Sequence, residues 1–159
     1  MSVKAKPDGY HSVTPYLIVD GAAEAIRWYE RALAATAVMR LPMGNKIGHA
    51  EIRIGDSHVM LSDEWPEYGK LGPKSRGGST CGLMVYLDDV DAAFNHAVAA
   101  GATVDQPLAD QFYGDRSGSI TDPFGHSWTL ASHVEDVPED ELQRRMAAWS
   151  EQAEAQPAG

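Results

Sequence analysis

The chain carries a half-copy of itself. Thr14-Pro15-Tyr16-Leu17-Ile18-Val19 is a short apolar strand that ends at Asp20 and enters a helical run from Gly21 to Leu33. Gly82-Leu83-Met84-Val85-Tyr86-Leu87 ends at Asp88 and enters a second helical run from Asp89 to Ala100. A displacement of 68 positions carries Thr14 onto Gly82 and Ile26 onto Phe94. Self-similarity at a fixed period marks one supersecondary unit used twice, which confines the chain to architectures made of two like modules.

Each helical run has one apolar face. Ala22, Ala25, Ile26, Tyr29 and Leu33 share a face at helical spacing, as do Val90, Ala93, Phe94, Ala97 and Val98. Asp20 or Gly21 is the expected cap of the first helix, and Asp88 or Asp89 that of the second. Three strand-like runs follow each helix: residues 36–41, 46–54 and 58–62, then 103–108, 114–122 and 126–133. The turn Asp122-Pro123-Phe124-Gly125 sets a proline's fixed φ beside a glycine able to take a positive one. The order β-α-β-β-β therefore occurs twice. A first module over 8–62, a linker over 63–80, a second module over 81–134, and a C-terminal helix and tail over 135–159 are expected. In the tail Leu142, Met146 and Trp149 form an apolar stripe that needs a cover, and residues 151–159 are expected to fray.

Composition narrows the functional classes. Thirteen Lys and Arg against 23 Asp and Glu give a net charge of −10, with no basic patch. Nucleic-acid and anionic-membrane partners are therefore not expected. The first eight residues lack the apolar core of a signal peptide, and no apolar run is long enough to span a bilayer, so a cytoplasmic location is expected. Cys81 is the single cysteine, which excludes an intrachain disulfide and a cysteine zinc site. Its apolar setting reads as a buried strand and an inert thiol.

Several stretches resemble the vicinal oxygen chelate superfamily, which includes glyoxalase I, the bleomycin-resistance proteins and the extradiol dioxygenases, and within it the PhnB-like branch. They are the strand from Thr14 to Val19, Lys46-Ile47-Gly48-His49-Ala50-Glu51, Met60-Leu61-Ser62-Asp63-Glu64, Tyr113-Gly114-Asp115-Arg116 and Asp122-Pro123-Phe124-Gly125-His126. The resemblance covers residues 8–138 and implies an α+β fold. Its two βαβββ modules would form an open, eight-stranded, barrel-like sheet with the helices outside and a cavity inside. In the metal-dependent members each module gives two ligands to a divalent ion, one from its first strand and one from its fourth. Those positions match Thr14, Gly82, Met60 and Thr129 here. A thioether, two hydroxyls and a glycine are poor donors to a hard divalent ion, so no metal cofactor is expected unless the site has moved.

The remaining chemistry is carried by polar residues on alternating strands. His49, Glu51 and Arg53 share one face of their strand, with Ala50, Ile52 and Ile54 on the other. His49 and Glu51 are either an acid/base pair or part of a solvated face. His58, Met60 and Ser62 alternate toward the cavity, as does Thr129 with His133. Tyr16, Met84 and Tyr86 join them from the first strands, and Tyr113 and Arg116 add polar density nearby. Asp115 and Arg116 form either a fixed ion pair or, through the guanidinium, a ligand contact. Such a wall suits an amphipathic organic ligand, or simply fills the barrel.

His11 and His96 read as solvated, and His126 as either a backbone partner in its turn or a functional group. The expected function is metal-free binding of a small organic ligand by a homodimer. The alternative is a lyase, isomerase or dioxygenase using His49 and Glu51, with or without a relocated metal held by His49, Glu51 and His133. Whether the chain is an enzyme stays open at this level.

Overall fold

A computed structural model describes residues 3–155. The first module comprises β1 (Tyr16–Val19), α1 (Ala22–Ala32), β2 (Thr36–Met43), β3 (Lys46–Ile54) and β4 (Ser57–Asp63). The second comprises β5 (Gly82–Tyr86), α2 (Val90–Ala99), β6 (Thr103–Asp110), β7 (Asp115–Thr121) and β8 (Ser127–His133), and α3 (Glu139–Ala155) follows it. The linker holds a 3-10 turn at Pro66–Tyr68 and a single helical turn at Pro73–Arg76. Among the described residues no helix is long and apolar enough to cross a membrane.

The twofold β-α-β-β-β order is the one the sequence implies, and the α+β class follows. Each module is a four-stranded sheet, in the orders β1-β4-β3-β2 and β5-β8-β7-β6. In each, the first strand runs parallel to the fourth and the other pairs are antiparallel. The expected continuous eight-stranded sheet is not closed within one chain: the two sheets are separate.

The reason is where the core sits. Leu17, Val19, Ala50, Ile52 and Leu61 from the first sheet share one buried cluster with Ile120, Trp128 and Leu130 from the second. Helix α1 supplies Ile26, Trp28 and Tyr29 to that same cluster. The helix-bearing faces of both sheets thus bury themselves together, and the opposite faces are turned away from the shared core.

Asp122 locks this junction. Its buried carboxylate accepts hydrogen bonds from Tyr29 Oη at 2.7 Å, Trp128 Nε1 at 2.8 Å, and the Phe124 and His126 amides at 2.9 and 3.0 Å. Burial, with the Asp122 charge beside it, holds the Tyr29 phenol well above its ordinary pKa. Trp28 Nε1 donates to Ala100 O at 2.8 Å, and His126 Nε2 meets Ile18 O at 3.0 Å. His126 thus meets a backbone carbonyl across the junction and not one in its own turn.

The local expectations are met in part. Gly21 takes the N-cap position of α1, one of the two residues expected there, but without a side-chain cap of its own. Asp63, at the end of β4, accepts from the Gly21 and Ala22 amides at 3.0 and 2.9 Å and from the Ile47 amide at 2.6 Å. Helix α2 is capped by Asp89, as expected, through the Ala92 amide. Cys81 is exposed, because it precedes β5 instead of lying within it. The tail is helical through Ala155, with Arg145 bonded to Glu135, Glu141 and the Phe112 carbonyl; residues 156–159 lie outside the described residues.

Candidate functional site

The strand alternation divides the first sheet as expected. Register places Tyr16 beside Met60, Met60 beside Glu51, and Glu51 beside Met39, so these four form one row. His58 and Arg53 form the adjacent row, and His49 stands opposite Leu41. Side chains two residues apart on a strand share a face, which puts His49, Glu51, His58, Met60, Ser62 and Tyr16 on the side away from the helices.

On this face a chain of hydrogen bonds links four groups. The Tyr16 hydroxyl lies 2.9 Å from His49 Nδ1, and His49 Nε2 lies 3.2 Å from Glu51 Oε1. The other oxygen, Oε2, accepts from the Tyr10 hydroxyl. Glu51 is only 6% exposed, whereas Tyr16 is 43% exposed. His49 and Glu51 are thus hydrogen-bonded to each other, as the inner part of a path from a buried carboxylate to an accessible phenol. Around it Met39, Leu41 and Met43 are exposed apolar side chains. Lys70 Nζ stands 5.8 Å from the centre of the Tyr16 ring, and Lys46 Nζ 4.9 Å from that of Trp65.

The second sheet's outer face carries the remaining expected residues. Met84, Thr129 and Ser119 form one row, and Tyr86, Ala131 and Ser117 the next. Asp115 lies opposite His133. Its buried carboxylate accepts from the Tyr86 hydroxyl at 2.8 Å and meets His133 Nδ1 at 2.8 Å, while His133 Nε2 meets Asp136 at 2.9 Å. The hydrogen bonds to Asp115 and then Asp136 raise the His133 pKa, and the bond to Asp115 raises that of Tyr86. Tyr113 Oη lies 3.3 Å from Ser117 Oγ, over the same face.

Arg116 belongs to neither outer face. It alternates with Asp115 and Ser117 and points toward α2, where it forks onto both Asp91 oxygens at 2.7 Å and reaches Asp110 at 3.1 Å. The expected Asp115–Arg116 pair is not formed, because adjacent strand residues face opposite ways. On that same inner side Gly118 leaves room for Phe94: a Cβ there would come within 2.6 Å of the Phe94 ring.

A cleft of about 330 Å³ between the first module's β3–β4 turn and β5 brings His58 of the first outer face together with Met84 and Tyr86 of the second. A depression of about 430 Å³ between the end of α1, β5 and α2 contains none of the expected site residues. Sequence reasoning missed Tyr10, Asp115 and Asp136 as site neighbours. Asp115 lies in the Tyr113-Gly114-Asp115-Arg116 stretch noted from sequence, but without its His133 partner.

The donor set at the family's metal positions does not fit a divalent ion. Thr14 Oγ1 bonds to the His11 carbonyl, the Thr129 and Ser119 hydroxyls share a hydrogen bond, Met60 offers a thioether, and Gly82 has no side chain. The relocated set is not assembled either: His49 and Glu51 meet on the first sheet, while His133 is tied to Asp115 and Asp136 on the second. Among the described residues no group of three or more His, Cys, Asp or Glu side chains is arranged to hold a metal ion.

Two paired mixed sheets with outer faces of Tyr, Met, His and carboxylate define a small βαβββ-repeat protein. The chain belongs to the glyoxalase/bleomycin resistance protein/dioxygenase superfamily, whose model matches residues 9–130. It is similar to the uncharacterized protein Rv0887c of Mycobacterium tuberculosis, with 41% identity covering 93% of this chain and 87% of that protein. Among solved structures it resembles protein PA1353 from Pseudomonas aeruginosa, with a TM-score of 0.65 and 30% identity over 79% of this chain and 99% of that one. TioX from Micromonospora sp. ML1 superposes with a TM-score of 0.61 and 28% identity over 80% of this chain and 100% of that one. The PhnB protein from Bacillus cereus (TM-score 0.60, 19% identity, 77% of this chain and 99% of that one) shares the fold.

Proposed function

We propose that the protein binds an amphipathic organic molecule on its outer sheet faces, without a metal and without transforming it, as a homodimer whose second copy covers those faces. The observation that carries this reading is the setting of the Tyr16–His49–Glu51–Tyr10 hydrogen-bond chain: a few polar groups, fixed by one another, amid exposed Met39, Leu41 and Met43. Ligand sites combine apolar area with a few oriented polar groups in this way. Exposed Met84 and Tyr86 on the second sheet, and the Met146–Trp149 stripe of α3, add apolar surface that a second copy would remove from water. The donor set at the family's metal positions supports the metal-free part of the reading.

One observation favours a second reading, an acid/base isomerase or lyase. The His49 ring is engaged at both nitrogens, so Glu51 orients the imidazole at Nε2 while Nδ1 can take the Tyr16 hydroxyl proton, leaving the phenol oxygen on the exposed side to accept one from a substrate.

The test titrates the protein with 1-anilinonaphthalene-8-sulfonate, followed by fluorescence, alongside sedimentation of the same sample. Saturable binding that weakens about tenfold in Tyr16→Ala and Met84→Ser, from a species of twice the 17.2 kDa chain mass, is the expected result. Non-saturable binding, affinity indifferent to both substitutions, or a monomer at every concentration overturns it.

A further inference from the structure

The first sheet's outer face already holds a ring, and that ring is the chain's own. Tyr10 stacks on His58 with centroids 4.0 Å apart and planes 14° from parallel, and its hydroxyl donates to Glu51. His58 is steadied by its Nδ1 contact with Gly9 O at 3.0 Å, so the segment that brings the ring also orients the platform beneath it. We infer that this is a ligand subsite for a phenol, a flat aromatic ring bearing one hydroxyl, and that Tyr10 occupies it as an internal surrogate. The inference rests on the reading of this face as a ligand site and names the chemistry one part of it selects.

The selectivity follows from Glu51. An ionised carboxylate only accepts hydrogen bonds. One of its oxygens is taken by His49, and the other is directed at the stacked ring's hydroxyl. A ligand carboxylate or phosphate there would set like charge against a buried charge, whereas a plain hydrocarbon would leave Oε2 without a donor. Either costs far more than the phenol, because an unsatisfied buried acceptor pays its full desolvation penalty. The His58 face supplies the flat surface on which an aromatic ring stacks.

The segment that carries Tyr10 is lightly held, which makes exchange with a free ligand feasible. Residues 3–13 pair with no strand, and all but Tyr10 are exposed. Beyond the Tyr10 and His58 bonds, the segment's ties to the sheet are His11 to Ser57 at 3.4 Å and to Asp56 at 3.9 Å, both at the surface. Surface pairs of this kind contribute little. The aromatic ring and its hydroxyl are thus the anchor, and a phenol in solution competes with them on equal chemical terms.

The experiment uses Tyr10→Ala and p-cresol, which restores the deleted side chain as a free molecule, with toluene as the control lacking the hydroxyl. In the variant p-cresol should bind saturably and about tenfold more tightly than toluene, the factor expected for one hydrogen bond to a charged acceptor. Adding Glu51→Leu, which removes the acceptor, should bring the ratio close to one. Wild-type protein should bind p-cresol more weakly than the variant does. Its Gly9 and Tyr10 amide resonances should move toward unstructured positions as the ligand is added, a readout that remains if Tyr10→Ala does not fold.

Equal binding of p-cresol and toluene, or wild-type amides that stay put at saturating p-cresol, overturns the proposal. If the sulfonate probe of the previous section still binds in a Tyr16-dependent way, such a result removes the phenol subsite alone. If the sulfonate fails as well, the ligand-site reading falls with it.

Discussion

Replacing Asp122 by Ala tests whether one buried carboxylate holds the two modules together. The residue serves four donors, of which the Phe124 and His126 amides lie in its own turn and are partly open to water. The other two, Tyr29 Oη and Trp128 Nε1, come from fully buried side chains. Stranding two buried donors costs about 1–3 kcal/mol each, so the loss should be about 4 kcal/mol, or a fall in Tm of roughly 8–16 °C for a chain this size. Asp122→Asn should cost less, about 2 kcal/mol, since its carbonyl still accepts from the turn amides while its amide group meets the indole N–H head-on.

Urea unfolding followed by tryptophan fluorescence reads the loss, and a cycle with Tyr29→Phe isolates the inter-module bond. Coupling between Tyr29 and Asp122 of about 1.5–3 kcal/mol is expected for a hydrogen bond to a charged group. A loss below about 1 kcal/mol for Asp122→Ala, or Tyr29→Phe and Asp122→Ala effects that simply add, would show that the carboxylate holds only its own turn.

Two further outcomes follow from the same coordinates. The His133 imidazole should titrate above 6.5, because Asp115 and Asp136 hold its protonated form. A pKa raised on folding gives stability that is complete below the unfolded value and disappears as pH rises through the folded one. The Tm advantage of wild type over His133→Gln should therefore shrink as pH rises from about 6 past the midpoint that proton NMR records for this ring; an advantage that grows with pH would contradict the assignment. Asp63→Ala should cost about 2–3 kcal/mol in chemical unfolding, since it removes the cap of α1 and the acceptor of the Ile47 amide together. A change within 0.5 kcal/mol would mean that water replaces both.

The residues read correctly from sequence are those whose surroundings are set within a few positions. The alternation of His49, Glu51 and Arg53 against Ala50, Ile52 and Ile54 places the first three on the outer face whatever the rest of the chain does. The Asp89 cap lies three residues from its amide partner and was legible for the same reason. Partners brought from far along the chain were not. Asp63 caps a helix that begins 41 residues earlier, and Arg116 meets Asp91 across 25. Tyr10 reaches Glu51 across 41 residues from a segment with no strand or helix pattern of its own, so it left no periodic signal to read.

The sequence by itself determined the repeated module, the helix and strand faces, the acidic surface and the replacement of the family's metal donors, because each depends on residue type and short-range spacing. Only the tertiary structure decided that both helix-bearing faces share one core, leaving two separate outer faces in place of a closed barrel. It also decided that Arg116 turns inward and that Tyr10 covers Glu51. The physical reason is that period tells which side of a strand is apolar, but not which distant surface will bury it. That choice rests on the sum of contacts such as Tyr29 with Asp122, made between residues 93 apart, whose compatibility appears only once the chain is folded.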